Sequence, residues 1–131
     1  MEAGSSIPPL QYLVAFLLPV MLIGVFVGSL VSPHNISAAA LFPQPANKPV
    51  HSFFYLFATR ELCLGVALLT LEAYNEWRAV TVLMACIGLN GIGDFLLAGA
   101  SGGGWWPSFT THGIPTIVGY WAVWKLWQEY W

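Results

Sequence analysis

Charge is what this 131-residue chain is short of: four Lys or Arg and six Asp or Glu make up 8% of it, against 57% hydrophobic residues. A soluble domain carries about 25% charged residues, so the composition excludes an ordinary water-soluble globule and points to a membrane. The formal net charge of −2 leaves no basic patch to neutralise phosphates, which excludes nucleic acid as a partner. Cysteine is nearly absent as well. Cys63 and Cys86 stand alone inside apolar runs, where a thiol behaves as a small hydrophobic side chain, so no disulfide framework and no cysteine metal site are expected. There is no P-loop, dinucleotide fingerprint or serine nucleophile elbow, and no cofactor is expected. The stretch from Met1 to Ser6 lacks the basic residues of a secretory leader, no glycine stands at position 2, and no prenylation box ends the chain. The first apolar run is therefore expected to persist as a membrane helix.

What the chain does have is apolar length. Runs at about 10–31, 50–71, 78–98 and 108–128 each approach the ~20 residues that cross a ~30 Å hydrocarbon core. They predict an all-α fold, a single domain over 1–131 built as a four-transmembrane-helix bundle. Pro8 and Pro9 open the first helix, Ser32-Pro33 close it, and Pro19 is expected to kink it. Gly24 and Gly28 form a small-xxx-small ridge, for packing within the bundle or, alternatively, for a homodimer seam. Between Pro33 and Pro49 lies the main loop, in which Ile36 to Phe42 is long enough only for a short helix in the interface. Glu72 to Trp77 reads as a tight polar turn, and Ala100 to Gly104 as a flexible glycine-rich loop. Trp105 and Trp106, and the stripe of Trp121, Trp124, Trp127, Tyr130 and Trp131, read as aromatic belts against lipid headgroups rather than as a base-stacking platform. Arg78, beside Trp77 at a helix end, reads as a snorkelling cation.

Against this background Arg60 and Glu61 are out of place, since they fall near the middle of the second run. A central arginine or acidic residue costs about 2.5–3.5 kcal/mol on insertion scales, so each needs a partner. The remaining polar candidates at depth are Asp94 and Asn90 on the third run and His112, Thr116 and Tyr120 on the fourth. At ~1.5 Å of rise per residue, Arg60 and Glu61 lie roughly 15 Å below the long-loop surface, Asn90 and Thr116 roughly 12 Å, and Asp94 and His112 roughly 6 Å. Helical side chains lean toward their own N-terminus, which carries Arg60 up toward Asp94 and His112. Asn90 and Asp94 share one helix face, as do His112, Thr116 and Tyr120. One buried polar pocket is the expectation. A buried ion pair that merely fixes helix register is the alternative reading. A metal site is disfavoured, because no paired-ligand spacing occurs and the arginine opposes a cation.

Two carboxylates held by an arginine where water is scarce can stand one ionised and one protonated, which is the equipment for opening a strained ether. Asp94 is cast as the base, oriented by His112, with Arg60 fixing the carboxylates and Glu61 as the acid; the two labels are exchangeable at this level. Asn90, Thr116 and Tyr120 are the expected substrate-binding side chains.

A resemblance enters at these residues. Pro33 with the Ala-rich turn and Phe42-Pro43, then Ala58-Thr59-Arg60-Glu61-Leu62-Cys63-Leu64-Gly65, Arg78, Gly91-Ile92-Gly93-Asp94, the glycine-rich loop and Thr111-His112-Gly113 resemble a family of small four-helix membrane proteins described as a domain of unknown function. Its fungal branch is similar to hydrolases that open polyketide epoxides in aurovertin- and citreoviridin-type pathways. The resemblance runs from Gly24 to Leu126 and implies roles for Arg60, Glu61, Asp94 and His112. It implies a membrane-embedded epoxide hydrolase or epoxide-opening cyclase, in the endoplasmic reticulum, acting on a lipophilic polyketide or terpenoid substrate amid membrane lipid. The rival readings are a non-catalytic protein that binds a lipophilic ligand or assembles pathway enzymes, and a proton-coupled carrier using Asp94 and His112.

Overall fold

A computed structural model describes residues 7–131, so the reading of Met1 to Ser6 as lacking a leader lies outside the described residues. The chain forms α1 (Leu10–Val31), α2 (Pro33–Ala39), α3 (Ser52–Ala73) and α4 (Trp77–Ala98), then a wide turn at Gly99–Gly103. Next come α5 (Trp105–Ser108), a second wide turn at Phe109–Gly113, and α6 (Ile114–Tyr130). The fold is all-helical among the described residues. Three helical stretches, α1, α3 and Trp77–Gly103, are long and apolar enough to cross a membrane, as in an integral membrane protein.

The first helix keeps its expected bounds, while the others differ for local reasons. His51 caps α3 by accepting the Phe53 N–H on Nδ1, so the helix begins two residues later than the apolar run and extends through Glu72 to Ala73. The short interfacial helix starts at Pro33 rather than at Ile36, because proline at a first helical position sacrifices no hydrogen bond. The glycine-rich stretch is not a loose loop throughout: the chain winds on as a wide helical turn to Gly103 and reverses at Gly102 and Gly104, whose φ values of 92° and 86° are accessible to glycine at no steric cost.

The expected uninterrupted helix over 108–128 is corrected. Pro115 has no N–H for the Thr111 carbonyl, and its ring crowds that carbonyl. The backbone widens to an i→i+5 turn over Phe109–Gly113 just ahead of it, and α6 proper has 17 residues.

Close approach sets the packing. An added Cβ on Gly65 of α3 would stand 2.7 Å from Ile23 Cγ1 and 3.1 Å from the Pro19 carbonyl of α1, so α1 and α3 lie backbone to backbone. On α4, Gly88 makes room for the Tyr120 ring and Gly91 for Thr116. Gly28 is taken up within the chain, since Ile36 of α2 fills the space beside it (2.8 Å from a would-be Cβ), and only Gly24 of that ridge is left open. Thus α1 packs along α3 and α6, and α4 packs along α6. The α3–α4 seam is looser. Leu22, Leu68, Val80, Met84 and Leu126 fill the interior, while Leu17, Val31, Leu56, Leu89 and Ile117 face outward as a lipid-exposed helix requires.

Candidate functional site

Under α2, where α3 and α4 part, the bundle forms a half-open cavity of about 310 Å³. Its walls divide by chemistry. Leu18, Leu22 and Val25 make the α1 side apolar, whereas α3 contributes Arg60 and Glu61, α4 Asn90 and Asp94, and the final segment His112 and Thr116. All four ionisable residues expected to meet therefore do line one space.

Glu61 belongs to the buried stripe of α3, with Phe54, Ala58, Gly65 and Leu68, while Arg60 lies one residue round the helix. The arginine turns back over its neighbour: Nε and Nη2 both donate to Glu61 Oε1, at 2.9 and 2.7 Å. One carboxylate oxygen thus takes two charge-assisted bonds. The same Nη2 lies 3.9 Å from Asp94 Oδ2, an ion pair without a hydrogen bond. The guanidinium also sits 5.0 Å from the Phe57 ring centroid, over its face. Phe57 was not singled out from sequence, although its place one turn before Arg60 was the available signal.

The other polar residues divide into free and engaged. Asn90 lines the cavity and makes no hydrogen bond among the described residues. His112 Nε2 lies 2.9 Å from the Ala40 carbonyl, and since a carbonyl only accepts, Nε2 carries the proton and ties the end of α2 over the cavity. No hydrogen bond joins His112 to Asp94 among the described residues, so the expected orienting contact between them is not made. Thr116 lines the cavity, but its hydroxyl donates to the His112 carbonyl at 2.7 Å. Tyr120 is not at the wall: its hydroxyl donates to the Ala85 carbonyl at 3.1 Å and its ring packs on Gly88, which makes it part of the α4–α6 seam. Sharing a helix face with His112 placed it correctly in angle, but too far toward the closed end.

Arg78, at the other end of the bundle, donates from Nε to the Tyr130 carbonyl at 2.9 Å and lies 5.4 Å from the Trp131 ring centroid. It takes no part in the cavity. Among the described residues no three His, Cys, Asp or Glu side chains come together to hold a metal ion.

Residues 20–128 match the family described as "Domain of unknown function (DUF4267)". The chain is a membrane-type helical member of that family. Neither the curated proteins nor the solved structures contain a match to it.

Proposed function

We propose that this protein is an integral-membrane epoxide hydrolase or epoxide-opening cyclase, working on a lipophilic polyketide or terpenoid epoxide in the endoplasmic reticulum. The α5–α6 run serves as a fourth span beside the three long helices. The observation that carries the reading is the single guanidinium set between Glu61 at 2.7 Å and Asp94 at 3.9 Å in a cavity whose α1 wall is apolar. Intramembrane ionisable clusters are costly, and their default reading is functional. The resemblance of the Arg60-Glu61, Asp94 and His112 motifs to fungal polyketide epoxide hydrolases is part of this proposal and enters by analogy alone.

Asp94 acts as the base, because neither of its oxygens is held in a hydrogen bond. It takes a proton from water, or from a hydroxyl of the substrate, while that oxygen attacks an epoxide carbon. The carbon–oxygen bond breaks with its electron pair on the ring oxygen, which receives the proton of Glu61 Oε2; Oε1 remains engaged by Arg60. Asp94 then returns the proton through water to Glu61, which closes the cycle. Water yields a diol and an internal hydroxyl yields a cyclic ether. The Asn90 amide, free in the cavity, orients the substrate oxygen. His112 positions the roof through Ala40 rather than touching the carboxylates.

The test is turnover by purified protein in lipid nanodiscs with an epoxidised polyene, followed by mass spectrometry for a diol or cyclic ether. Product formed by the wild type and lost in Asp94→Asn supports the reading. Saturable binding without product would replace it with that of a lipophilic-ligand binder.

A further inference from the structure

A second cavity of about 420 Å³ opens toward the long loop. Phe42, Gln44, His51, Phe53 and Phe54 line it, and it shares Ala40, Phe57 and Asp94 with the central one. The two spaces adjoin at these shared residues. Down α3, Phe54, Phe57 and Arg60 to Glu61 succeed one another at helical spacing on adjoining strips of one face, so the path from loop to centre runs along a single helix. From His51 to Arg60 it covers roughly 13 Å at ~1.5 Å per residue. The chemistry changes along it. Four phenylalanine rings and the His51 imidazole, which stacks on Phe53 with centroids 5.1 Å apart and planes 12° from parallel, line the outer space, an open cleft with Phe53 and His51 at its exposed rim. The carboxylates lie at the inner end.

We infer that the outer cavity is a second subsite, and that the ligand is an elongated molecule whose oxygenated end sits among Arg60, Glu61 and Asp94 while a flat aromatic or conjugated group lies among Phe42, Phe53, Phe54 and Phe57. The inference rests on the functional reading above for the identity of the inner end only. Flat rings gain from edge and face contacts with phenylalanines that saturated groups of equal size do not make. A saturated hydrocarbon would gain nothing from this lining that the lipid does not already offer it. Asp94, where the two spaces adjoin, meets the ligand where its oxygenated and unsaturated parts join.

A matched pair of probes tests this without turnover: an octyl methyl ether bearing a terminal phenyl group, and the same chain bearing a terminal cyclohexyl group. Neither can be opened, so a failure of the epoxide chemistry leaves the measurement intact. With the tritiated phenyl compound bound to protein in nanodiscs, the unlabelled phenyl compound is expected to compete roughly tenfold better than the cyclohexyl one, the scale of one or two aromatic contacts. Phe53→Leu, at a position 71% exposed where folding is little affected, is expected to erase most of that preference, and Phe42→Leu serves as a second variant. Equal competition in the wild type overturns the inference, and so does a preference that survives both substitutions.

Discussion

The two ends of the bundle use the same residue types in opposite ways. At the end where α1 begins and α6 ends, the Tyr12 hydroxyl lies 2.6 Å from both Glu129 Oε1 and the Tyr130 hydroxyl, the Trp77 ring meets Tyr12 edge-on at 4.7 Å, and Arg78 donates to the Tyr130 carbonyl. Tyr12, Glu129 and Tyr130 engage one another directly there, and Arg78 donates to the last turn of α6. At the loop end, Arg60 places two of its donors on one oxygen of Glu61, Asp94 stays outside hydrogen-bond distance, and Asn90 is unengaged, all around a cavity. The difference is one of saturation. A closed polar cluster holds helices together, whereas an open one keeps donors and acceptors for something else.

The largest effect should come from the open end. Asp94→Asn is expected to lower turnover at least about a hundredfold, the lower bound for loss of a positioned acid or base, while thermal unfolding in nanodiscs followed by circular dichroism stays near the wild-type midpoint. Activity retained by that variant would reduce the loop-end cluster to the same structural status as the other end.

Arg60→Met should separate structure from chemistry. Removing the cation leaves Glu61, 7% exposed, without its partner. The expected loss is about 2 kcal/mol, below the range for a fully buried pair because the Arg60 side chain keeps 40% of its exposure. Adding Glu61→Leu should restore most of that stability, since an apolar pair of similar volume replaces a desolvated arginine–carboxyl pair at little net cost. Turnover should stay lost in the double variant. Recovery of both would mean that the pair only sets register.

The three long apolar helices, and the convergence of Arg60, Glu61, Asp94 and His112 on one cavity, were legible in the sequence because apolar run length and ~1.5 Å of rise constrain them. Rotation about each axis was less legible. Tyr120 shares the His112 face yet closes the α4–α6 seam, and Gly88, which admits its ring, has no marker that separates a packing glycine from one left open for a ligand. The wide turn at Phe109–Gly113 follows from Pro115, but proline equally permits a kink, so the outcome depended on tertiary contact. Ser108 supplies some of it by donating to the Phe95 carbonyl at 2.6 Å. The outer cavity was hidden because its walls come from the loop and the first turn of α3, and no periodicity relates loop residues to a helix face.

Glu72 is the exception at the closed end. It continues the buried stripe of α3, is 7% exposed, and neither carboxyl oxygen has a hydrogen-bond partner among the described residues. An unsatisfied buried polar group costs about 1–3 kcal/mol, so Glu72→Leu is expected to stabilise the protein by about that amount in the same unfolding measurement, with turnover unchanged. Destabilisation would show that the carboxyl has a structural or ligand-binding task, and the two ends would no longer differ in how fully their polar groups are engaged.

The finest test is a single oxygen atom. Tyr12→Phe removes the hydroxyl shared by Glu129 and Tyr130 but keeps the ring against Trp77, so packing is preserved and only hydrogen bonding is lost. Because Glu129 is exposed and can turn to solvent, the loss should be about 1 kcal/mol, near the net value of an ordinary hydrogen bond rather than that of an orphaned buried group. Turnover should not move, since Tyr12 lies in the first turn of α1, and the cavity-lining Leu18, Leu22 and Val25 begin two turns further along. A tenfold fall in turnover would mean that the terminal cluster sets the geometry of the carboxylates at a distance. The two ends would then act as one coupled device.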